Sequence, residues 1–523
     1  MKNIIKKLLI IFIIICITKI IISLFIKVPL GFADSLEYLE IAKSFHDNLE
    51  ISSFGEPSTT YPPLYPILLS PIYILNNTEL IISLVIILNC ILATLIIFPA
   101  YLLAKEFSKE NKAYKIAIVV SLAPFSVITS FYPLAENIYF PLFLLTIYFL
   151  YILIKQDKHI LITGVLLGLC SLIKIIGVVT IISITLLILK RIIKNQKSKK
   201  LILSILIGTI ISIIWPIRNY LINTNTQNTL NDTITRIINI VNPTESFLII
   251  LKWIFINNAY IILAATPLII FLLIKKKSEF KEILAYLYFP FIIFLSIYIK
   301  SAEVLRGRYV EIFLAPIIIL ALSTKEKISY LYLSIIFLLT LPILFYNHQK
   351  FFPINGTSLS EFGASLYILN INSEIIISIL IIILFLITII SIKYKKNFLT
   401  ITIIFLTIST IGITMTIYDS KYRWEPIEPI QLGIWINKNI PSNATFHYDK
   451  IDREQLRNYT KDSEIKNTIE KSPWRSSLIT TYWIRGPIEI KTIKENNCDY
   501  IISTQTYPLE IIKHGKIKIY KCK

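Results

Sequence analysis

The sequence predicts a mainly α-helical, polytopic membrane protein with about 13 transmembrane helices and a small C-terminal α/β domain outside the cytoplasm. Of its 523 residues, 55% are hydrophobic and only 16% are charged, and the mean hydropathy is +0.68. Globular domains contain about a quarter charged residues, and the apolar residues here form blocks of the roughly 20 residues that a bilayer span requires. This composition excludes a soluble enzyme, a disordered chain and a disulfide scaffold.

The basic residues are distributed as in a membrane protein. The formal net charge is +20, but the lysines and arginines cluster in short runs between apolar blocks. Such runs are typical of cytoplasmic loops, which carry an excess of positive charge. We therefore expect membrane lipids as partners and no nucleic acid.

The first apolar block begins at the N-terminus and extends to about residue 26. It is too long for the apolar region of a signal peptide and lacks a small-residue cleavage site, which favours a first transmembrane helix with its lysines in the cytoplasm. Residues 27–78 then form a first outer loop, with short interfacial helices at 36–46 and 64–75. Further helices are predicted at 79–104, 115–131, 137–154, 201–217, 254–274, 283–299, 311–323, 328–346, 374–392 and 398–418.

The block at residues 159–190 is predicted to be a helical hairpin. A single helix of this length would reach about 48 Å, well beyond a hydrocarbon core of about 30 Å. It would also export the basic run that begins at Lys190. A turn near Lys174 to Gly177 keeps that run in the cytoplasm, so the N-terminus is expected inside and the C-terminus outside.

A change in composition near residue 419 divides the chain into a transmembrane domain, 1–418, and a soluble module, 419–523. The segment QLGIWINKNI, stopped by Pro441, predicts a helix, and ATFHY, DYIIST and KIKIY predict strands. Cys498 and Cys522 lie in this module and would be able to pair in an oxidising compartment, an alternative that the sequence leaves open.

Two carboxylates are expected near the outer face of the membrane. Asp34 lies in GFADSLEYLEIA after the first helix, and Glu136 lies in a short outer turn in SFYPLAENIYFP. Charged groups at membrane depth are costly unless they line a cavity or bind a ligand. The alternatives are an N-cap for Asp34 and a favourable interaction with the helix dipole for Glu136.

Four cations are expected at the same depth: Lys174, Arg218, Arg306 and Arg308. The alternatives are that the lysine extends to the membrane interface and that the arginines contact lipid headgroups. Considered as a set, the cations suit a lipid phosphate, and a carboxylate would then act as a general base or hold a divalent metal.

These motifs, in this order, resemble those of the GT-C superfamily of membrane glycosyltransferases. The nearest branch contains the dolichyl-phosphate-mannose protein mannosyltransferases and the bacterial aminoarabinose transferases. The matching pieces are D-x-x-x-Y (Asp34, Tyr38), YPPLYP (from Tyr61, with Pro63), Glu136 at a helix start, G-x-x-x-G before Lys174, WPIRNY, and RGRY before Pro316.

The resemblance implies transfer of a sugar from a polyprenyl or dolichyl phosphate carrier to an acceptor outside the cytoplasm, with inversion. It implies Asp34 and Glu136 as catalytic carboxylates, which would also be able to share Mg²⁺ or Mn²⁺. Lys174, Arg218, Arg306 and Arg308 would bind the donor phosphate. Tyr38, Tyr61, Pro63 and Tyr309 would belong to the substrate loops.

Two departures from the motifs of this superfamily restrict the class of acceptor. Protein mannosyltransferases have adjacent Asp-Glu where this chain has Asp34 followed by Ser35, which argues against protein mannosylation. The W-W-D-Y-G motif of oligosaccharyltransferases is absent from the sequence. The sugar and the acceptor stay open, as does a second class of function, a transporter or flippase of an anionic or lipid-linked substrate.

Overall fold

A computed structural model gives the architecture of the chain. It describes residues 2–27, 33–53, 56–75, 77–222, 245–275, 278–299, 307–323, 330–342, 373–394, 397–424, 428–440, 446–448, 488–489, 499–503, 510–513 and 518–521. The chain divides into two compact units. Unit 1 contains residues 1–22, 59–64 and 88–416, and unit 2 contains residues 23–58, 65–87 and 417–523. The domain boundary expected at residues 418 and 419 stays a prediction.

The described part of the chain is mainly helical. In chain order its helices are α1 Lys2–Ser23, α2 Ala33–Asn48, α3 Leu64–Leu69, α4 Thr78–Thr94, α5 Ile97–Lys105, α6 Glu110–Ser121, α7 Pro124–Ile128, α8 Glu136–Gln156, α9 Ile160–Ile173, α10 Gly177–Ile193, α11 Lys199–Ser212, α12 Ile214–Leu221, α13 Glu245–Ala265, α14 Pro267–Lys275, α15 Glu279–Ile299, α16 Gly307–Val310, α17 Leu314–Leu322, α18 Tyr330–Thr340, α19 Ser373–Tyr394, α20 Asn397–Tyr418 and α21 Glu428–Asn439.

Several of these helices are suited to cross a membrane. Within the described residues, six are long and apolar enough, or seven if α6 and α7 form one bent span. The exposed side chains on helices such as α1 and α19 are mostly isoleucine and leucine, as expected where a helix faces lipid. The chain is therefore an integral membrane protein, but the expected count of about 13 helices is not confirmed.

The hairpin predicted at residues 159–190 is confirmed. Helix α9 ends at Ile173 and α10 begins at Gly177. Other boundaries differ from expectation. The helix expected at 115–131 is bent by 55° between α6 and α7, because Pro124 begins the second piece. The helix expected at 254–274 breaks at Thr266, whose φ is 72°, before Pro267.

Helices α9 and α11 pack closely through glycines. A Cβ on Gly164 would lie 2.7 Å from Cβ of Ile207, and a Cβ on Gly168 would lie 2.4 Å from Cβ of Ile211. Glycines spaced four residues apart allow this approach between membrane helices. The residue numbers at these contacts rise in the same direction along both helices, from Gly164 with Ile207 to Gly168 with Ile211. Helices α9 and α11 are therefore parallel. The end of α9, just before Lys174, therefore lies beside the end of α11, just before α12.

The C-terminal part of unit 2 is a small α/β structure, as predicted. Helix α21 is followed by five strands: β3 Phe446–Tyr448, β4 Ile488–Glu489, β5 Tyr500–Ser503, β6 Ile511–Lys513 and β7 Lys518–Lys521. They form a mixed sheet in the order β4-β3-β5-β7-β6. Strand β3 is parallel to β4 and β5, and β7 is antiparallel to β5 and β6. Cys498, Cys522 and Pro441 lie outside the described residues. Two short strands earlier in unit 2, β1 Ser52–Ser53 and β2 Glu56–Pro57, pair with each other.

Candidate functional site

The apex of the α9–α10 hairpin positions Lys174. This residue ends α9 in an extended conformation, with φ −149° and ψ 129°, and it is only 5% exposed. A Cβ on Gly177 would lie 2.6 Å from the backbone of Cys170 and Ser171, so the tight turn requires glycine there. The turn keeps the lysine inside the protein instead of letting it extend to the interface.

Glu136, the first residue of α8, lies beside two cations. Its Oε1 atom accepts a hydrogen bond from the ammonium group of Lys174 in a buried ion pair. Nε of Arg308 lies 3.5 Å from the same oxygen. All three residues are at least 95% buried. Oε2 of Glu136 has no hydrogen-bond partner among the described residues. Buried charges are retained where they are paired or bind a ligand.

The ring of Tyr309 lies against both cations. Nζ of Lys174 is 4.1 Å from the ring centroid, and Cζ of Arg308 is 5.3 Å from it. Both distances are within the range of cation–π attraction. Glu136, Lys174, Arg308 and Tyr309 therefore form one cluster, which we call the cationic cluster.

A second buried carboxylate supports the helix that carries Arg308. Glu311, one helical turn after Arg308, is fully buried and accepts a hydrogen bond of 2.6 Å from the hydroxyl of Tyr260 on α13. The ring of the same tyrosine lies over Gly307, where a Cβ would be 2.3 Å from Cζ of the ring. Tyr260 thus contacts Gly307 and Glu311, on either side of Arg308. Sequence analysis missed this pair, although an acid in the apolar segment VEIFLAP is a detectable signal.

Helix α12 holds the segment that contains Tyr61 and Pro63. Nδ2 of Asn219 donates to the carbonyl oxygen of Thr59 at 2.9 Å. Nη1 of Arg218 donates to Oδ1 of the same asparagine at 3.0 Å. The Arg218 guanidinium also lies over the Trp215 ring, 4.9 Å from its centroid. Since α12 follows the end of α11 that lies beside the end of α9, Arg218 belongs to the same region of unit 1 as Lys174.

Asp34 and Tyr38 lie on α2, in unit 2. Asp34 is half-buried in the first turn of the helix, and the buried Tyr38 packs edge-on against Tyr65 at 5.1 Å. One turn after Asp34, Glu37 accepts a 2.7 Å hydrogen bond from the hydroxyl of Ser53. Burial raises the pKa of Glu37; that hydrogen bond lowers it in part, and the neighbouring charge of Asp34 raises it further.

The structure thus places the expected residues in three groups. Glu136, Lys174, Arg308 and Tyr309 lie together, while Arg218 lies on α12, which binds Thr59 in the segment that leads to Tyr61 and Pro63. Asp34 and Tyr38 belong to unit 2, and Arg306 lies outside the described residues. The chemical roles of all these residues stay predictions.

The surroundings of Glu136 do not fit a divalent metal. A metal ion at this carboxylate would lie next to the charges of Lys174 and Arg308, which would repel it. In the described part of the chain, His, Cys, Asp and Glu side chains form no group of three or more that would hold a metal. No step proposed below depends on Mg²⁺ or Mn²⁺.

Comparison with known proteins agrees with this architecture. The model of the dolichyl-phosphate-mannose-protein mannosyltransferase family matches residues 61–215, a range that includes Glu136 and Lys174. No curated protein matches the chain by sequence.

Solved structures of membrane glycosyltransferases are similar to the chain over nearly its whole length. ArnT from Cupriavidus metallidurans in the apo state has a TM-score of 0.58 at 10% identity, and the match covers 98% of this chain and 97% of that chain. The same protein bound to undecaprenyl phosphate has a TM-score of 0.56 at 11% identity, with the same coverage. The Archaeoglobus fulgidus oligosaccharyltransferase with zinc and sulfate has a TM-score of 0.44 at 11% identity, covering 94% of this chain and 68% of that chain.

Identities this low show the fold alone, and the fold argument rests on ArnT. The chain has the fold of the GT-C enzyme ArnT, and the resemblance to GT-C membrane glycosyltransferases that the sequence motifs indicated is confirmed.

Proposed function

We propose that the protein is a membrane glycosyltransferase that moves a sugar from a polyprenyl-phosphate carrier to an acceptor outside the cytoplasm. The observation that carries this proposal is the buried cationic cluster in a chain with the ArnT fold. One structure of ArnT contains undecaprenyl phosphate, a ligand of the chemistry that such a cluster would bind. The N-terminus is proposed to be cytoplasmic and the C-terminal module extracytoplasmic, with about 13 helices in all.

The cationic cluster is suited to a phosphate that leaves with its lipid. When the bond from the anomeric carbon to the phosphate oxygen breaks, negative charge grows on the phosphate. Lys174 and Arg308 are buried, so their charges act with little screening by water. Arg218 would supply a third cation from α12. Phosphate is a good leaving group, so this step requires no strong acid.

Within this cluster we assign Glu136 the role of counter-ion. Its Oε1 engages both cations, and it therefore holds them in place before the donor binds. A phosphate that enters the cluster would compete for the same cations. Glu136 then belongs to donor binding, and the general base is a different residue.

We propose Asp34 as that base, and this role rests on the sequence resemblance. An acceptor hydroxyl would attack the anomeric carbon on the face opposite the phosphate, with inversion. Asp34 would take the hydroxyl proton as the new glycosidic bond forms and the bond to phosphate breaks. Base catalysis of this kind contributes about 10²- to 10⁴-fold to the rate.

The first experiment measures transfer of radiolabelled sugar from polyprenyl-phosphate donors in membranes that contain the wild-type protein or a variant. We expect Asp34→Asn to lower the rate by at least about 10²-fold without changing the amount of protein. The matched control is Asp47→Asn on the same helix, where the carboxylate is exposed and contacts His46. Normal turnover of Asp34→Asn would exclude this residue as the base.

A second arm tests the function itself. Membranes with wild-type protein are expected to transfer sugar from the lipid-phosphate donor and not from a sugar nucleotide. Movement of an intact labelled lipid or anion across the bilayer, without transfer, would instead support the transporter or flippase alternative.

A further inference from the structure

Lys19 is a buried lysine that the cationic cluster does not use. It lies in α1, and it is only 2% exposed. Its ammonium group donates a 2.9 Å hydrogen bond to the carbonyl oxygen of Ser126 in α7. An ionisable side chain inside a membrane segment is costly and therefore points to a role.

The partner of Lys19 belongs to a bent, fully buried segment. Residues 124–135, which we call the elbow segment, follow the 55° bend after α6 and end directly before Glu136. All of them are buried. The segment consists of the short helix α7, a 3-10 turn at Thr129–Phe131 and a non-helical stretch.

Side chains of α1 and α4 bind the backbone carbonyls of the elbow segment. Besides the bond from Lys19, Nδ2 of Asn89 donates to the carbonyl of Tyr132 at 3.0 Å, and Sγ of Cys90 lies 3.7 Å from the carbonyl of Ser130. Non-helical backbone at membrane depth requires such partners, because water is not available to bind it. The three donors therefore fix the path of the segment.

The bonds reach the residue next to Glu136. Nδ2 of Asn137 donates to the carbonyl of Tyr132 at 2.9 Å, the same oxygen that accepts from Asn89. The start of α8 is thus connected to α4 through one shared acceptor. A shift of the elbow segment would move Glu136 relative to Lys174 and Arg308.

We infer that Lys19 and Asn89 are positioning residues that hold the elbow segment and thereby place Glu136 in the cationic cluster. The first helix is then part of the donor-binding structure as well as a membrane span. This inference rests on the proposed function for its consequence in donor binding, while the structural contact itself is independent of that function.

The test uses purified full-length protein in detergent. Lys19→Met keeps the apolar stem and removes the donor, Lys19→Gln restores a shorter donor, and Asn89→Leu removes the second donor. The matched control is Ser409→Ala, which removes a hydroxyl donor to the carbonyl of Leu122, just outside the elbow segment. Hydrogen–deuterium exchange is measured for peptides of residues 122–137 and, for reference, of α17.

We expect Lys19→Met and Asn89→Leu to accelerate exchange in the elbow segment by about tenfold or more, because each variant removes a buried side-chain donor that connects the segment to another helix. Exchange in α17 and in the Ser409→Ala variant should match wild type. Binding of undecaprenyl phosphate, measured by native mass spectrometry, should weaken about tenfold in both variants, and Lys19→Gln should recover most of it.

Each result decides a separate question. Unchanged exchange in the elbow segment overturns the inference, whether or not the wild type is active. Faster exchange with unchanged lipid-phosphate binding overturns the positioning role. If wild type binds no undecaprenyl phosphate and transfers no sugar, the proposed function fails, and faster exchange still supports the structural contact of Lys19.

Discussion

Two carboxylates that the sequence singled out, Glu136 and Asp34, affect different neighbours. Glu136 is almost fully buried between Lys174 and Arg308. Asp34 is half-buried at the start of α2, where its charge raises the pKa of another acid, Glu37. Glu136 thus pairs with two cations, and Asp34 lies close enough to a second acid to raise its pKa.

This difference indicates different chemistry. A carboxylate that is ion-paired to two cations serves to hold them, and the cations remain suited to an anionic ligand. A carboxylate beside another acid meets a like charge, which disfavours its ionised form and favours proton binding. On this basis the proposed roles are donor binding for Glu136 and base catalysis for Asp34.

Among the variants that test this difference, Lys174→Ala is expected to have the largest effect on donor binding. Removing this cation leaves Glu136 paired with Arg308 alone, so the cluster loses its net positive charge and binds phosphate more weakly. We expect the KM for the lipid-phosphate donor to rise about a hundredfold with little change in the KM for the acceptor. Initial rates at varied donor and acceptor concentrations measure this.

The control for that prediction is Lys155→Ala, which removes an exposed lysine paired with Glu106 at 3.1 Å. Adding Glu136→Gln to Lys174→Ala should recover part of the lost donor binding, because the cluster that retains Arg308 then regains a net positive charge. Equal losses for donor and acceptor, or a double variant worse than the sum of the two changes, would contradict the counter-ion role.

A smaller effect is expected from Tyr260→Phe. The phenylalanine ring still fits over Gly307, but the hydrogen bond to Glu311 is lost. We expect kcat/KM for the donor to fall about tenfold, the loss of one buried hydrogen bond to a charged group. The control is Tyr288→Phe on α15, which removes a buried hydroxyl that donates to Asn258 at 2.9 Å. Equal losses in both variants would mean that Tyr260 contributes only to stability.

Part of the candidate site was predictable because it follows from local rules. Length and charge placed the hairpin turn at Lys174. Glu136 and Arg308 stood out as charges in apolar surroundings. That they pair with one another and with Lys174 depends on how distant helices pack, and the local pattern around each residue does not contain this information.

The features that were missed have a common physical cause. Lys19 and Glu311 lie inside segments that hydropathy identifies as spans, where a single charge changes the average little. Their partners are a backbone carbonyl of α7 and a tyrosine on α13. Pro124 also lies inside the helix predicted at 115–131, although proline at that position favours a break. Such contacts follow from tertiary packing, which periodicity does not report.

The smallest expected effect is a pH dependence of the stability of α2, the helix that carries Asp34. The carboxyl of Glu40, on the same helix as Asp34, is surrounded by protein although the residue as a whole is only half-buried. Burial raises its pKa from an ordinary 4.5 to about 7, with Lys43 lowering it and Glu37 and Asp47 raising it. The folded state thus binds this proton more tightly than the unfolded chain does. The stability of the helix should therefore fall as pH rises from about 4.5 to about 7.

Glu40→Gln should remove most of this pH dependence, because glutamine carries no titrating proton. We expect wild type to lose about 1–3 kcal/mol of local stability over that range, and residues 33–58 should be cleaved faster by protease at pH 7.5 than at pH 5. The protease rate on a reference site in α21, measured at each pH, corrects for the enzyme's own pH profile. The control is Glu50→Gln, at an exposed acid just after the helix. If Glu40→Gln and Glu50→Gln keep the same pH dependence, the raised pKa of Glu40 is not its source, and the stability of α2 does not depend on this buried acid.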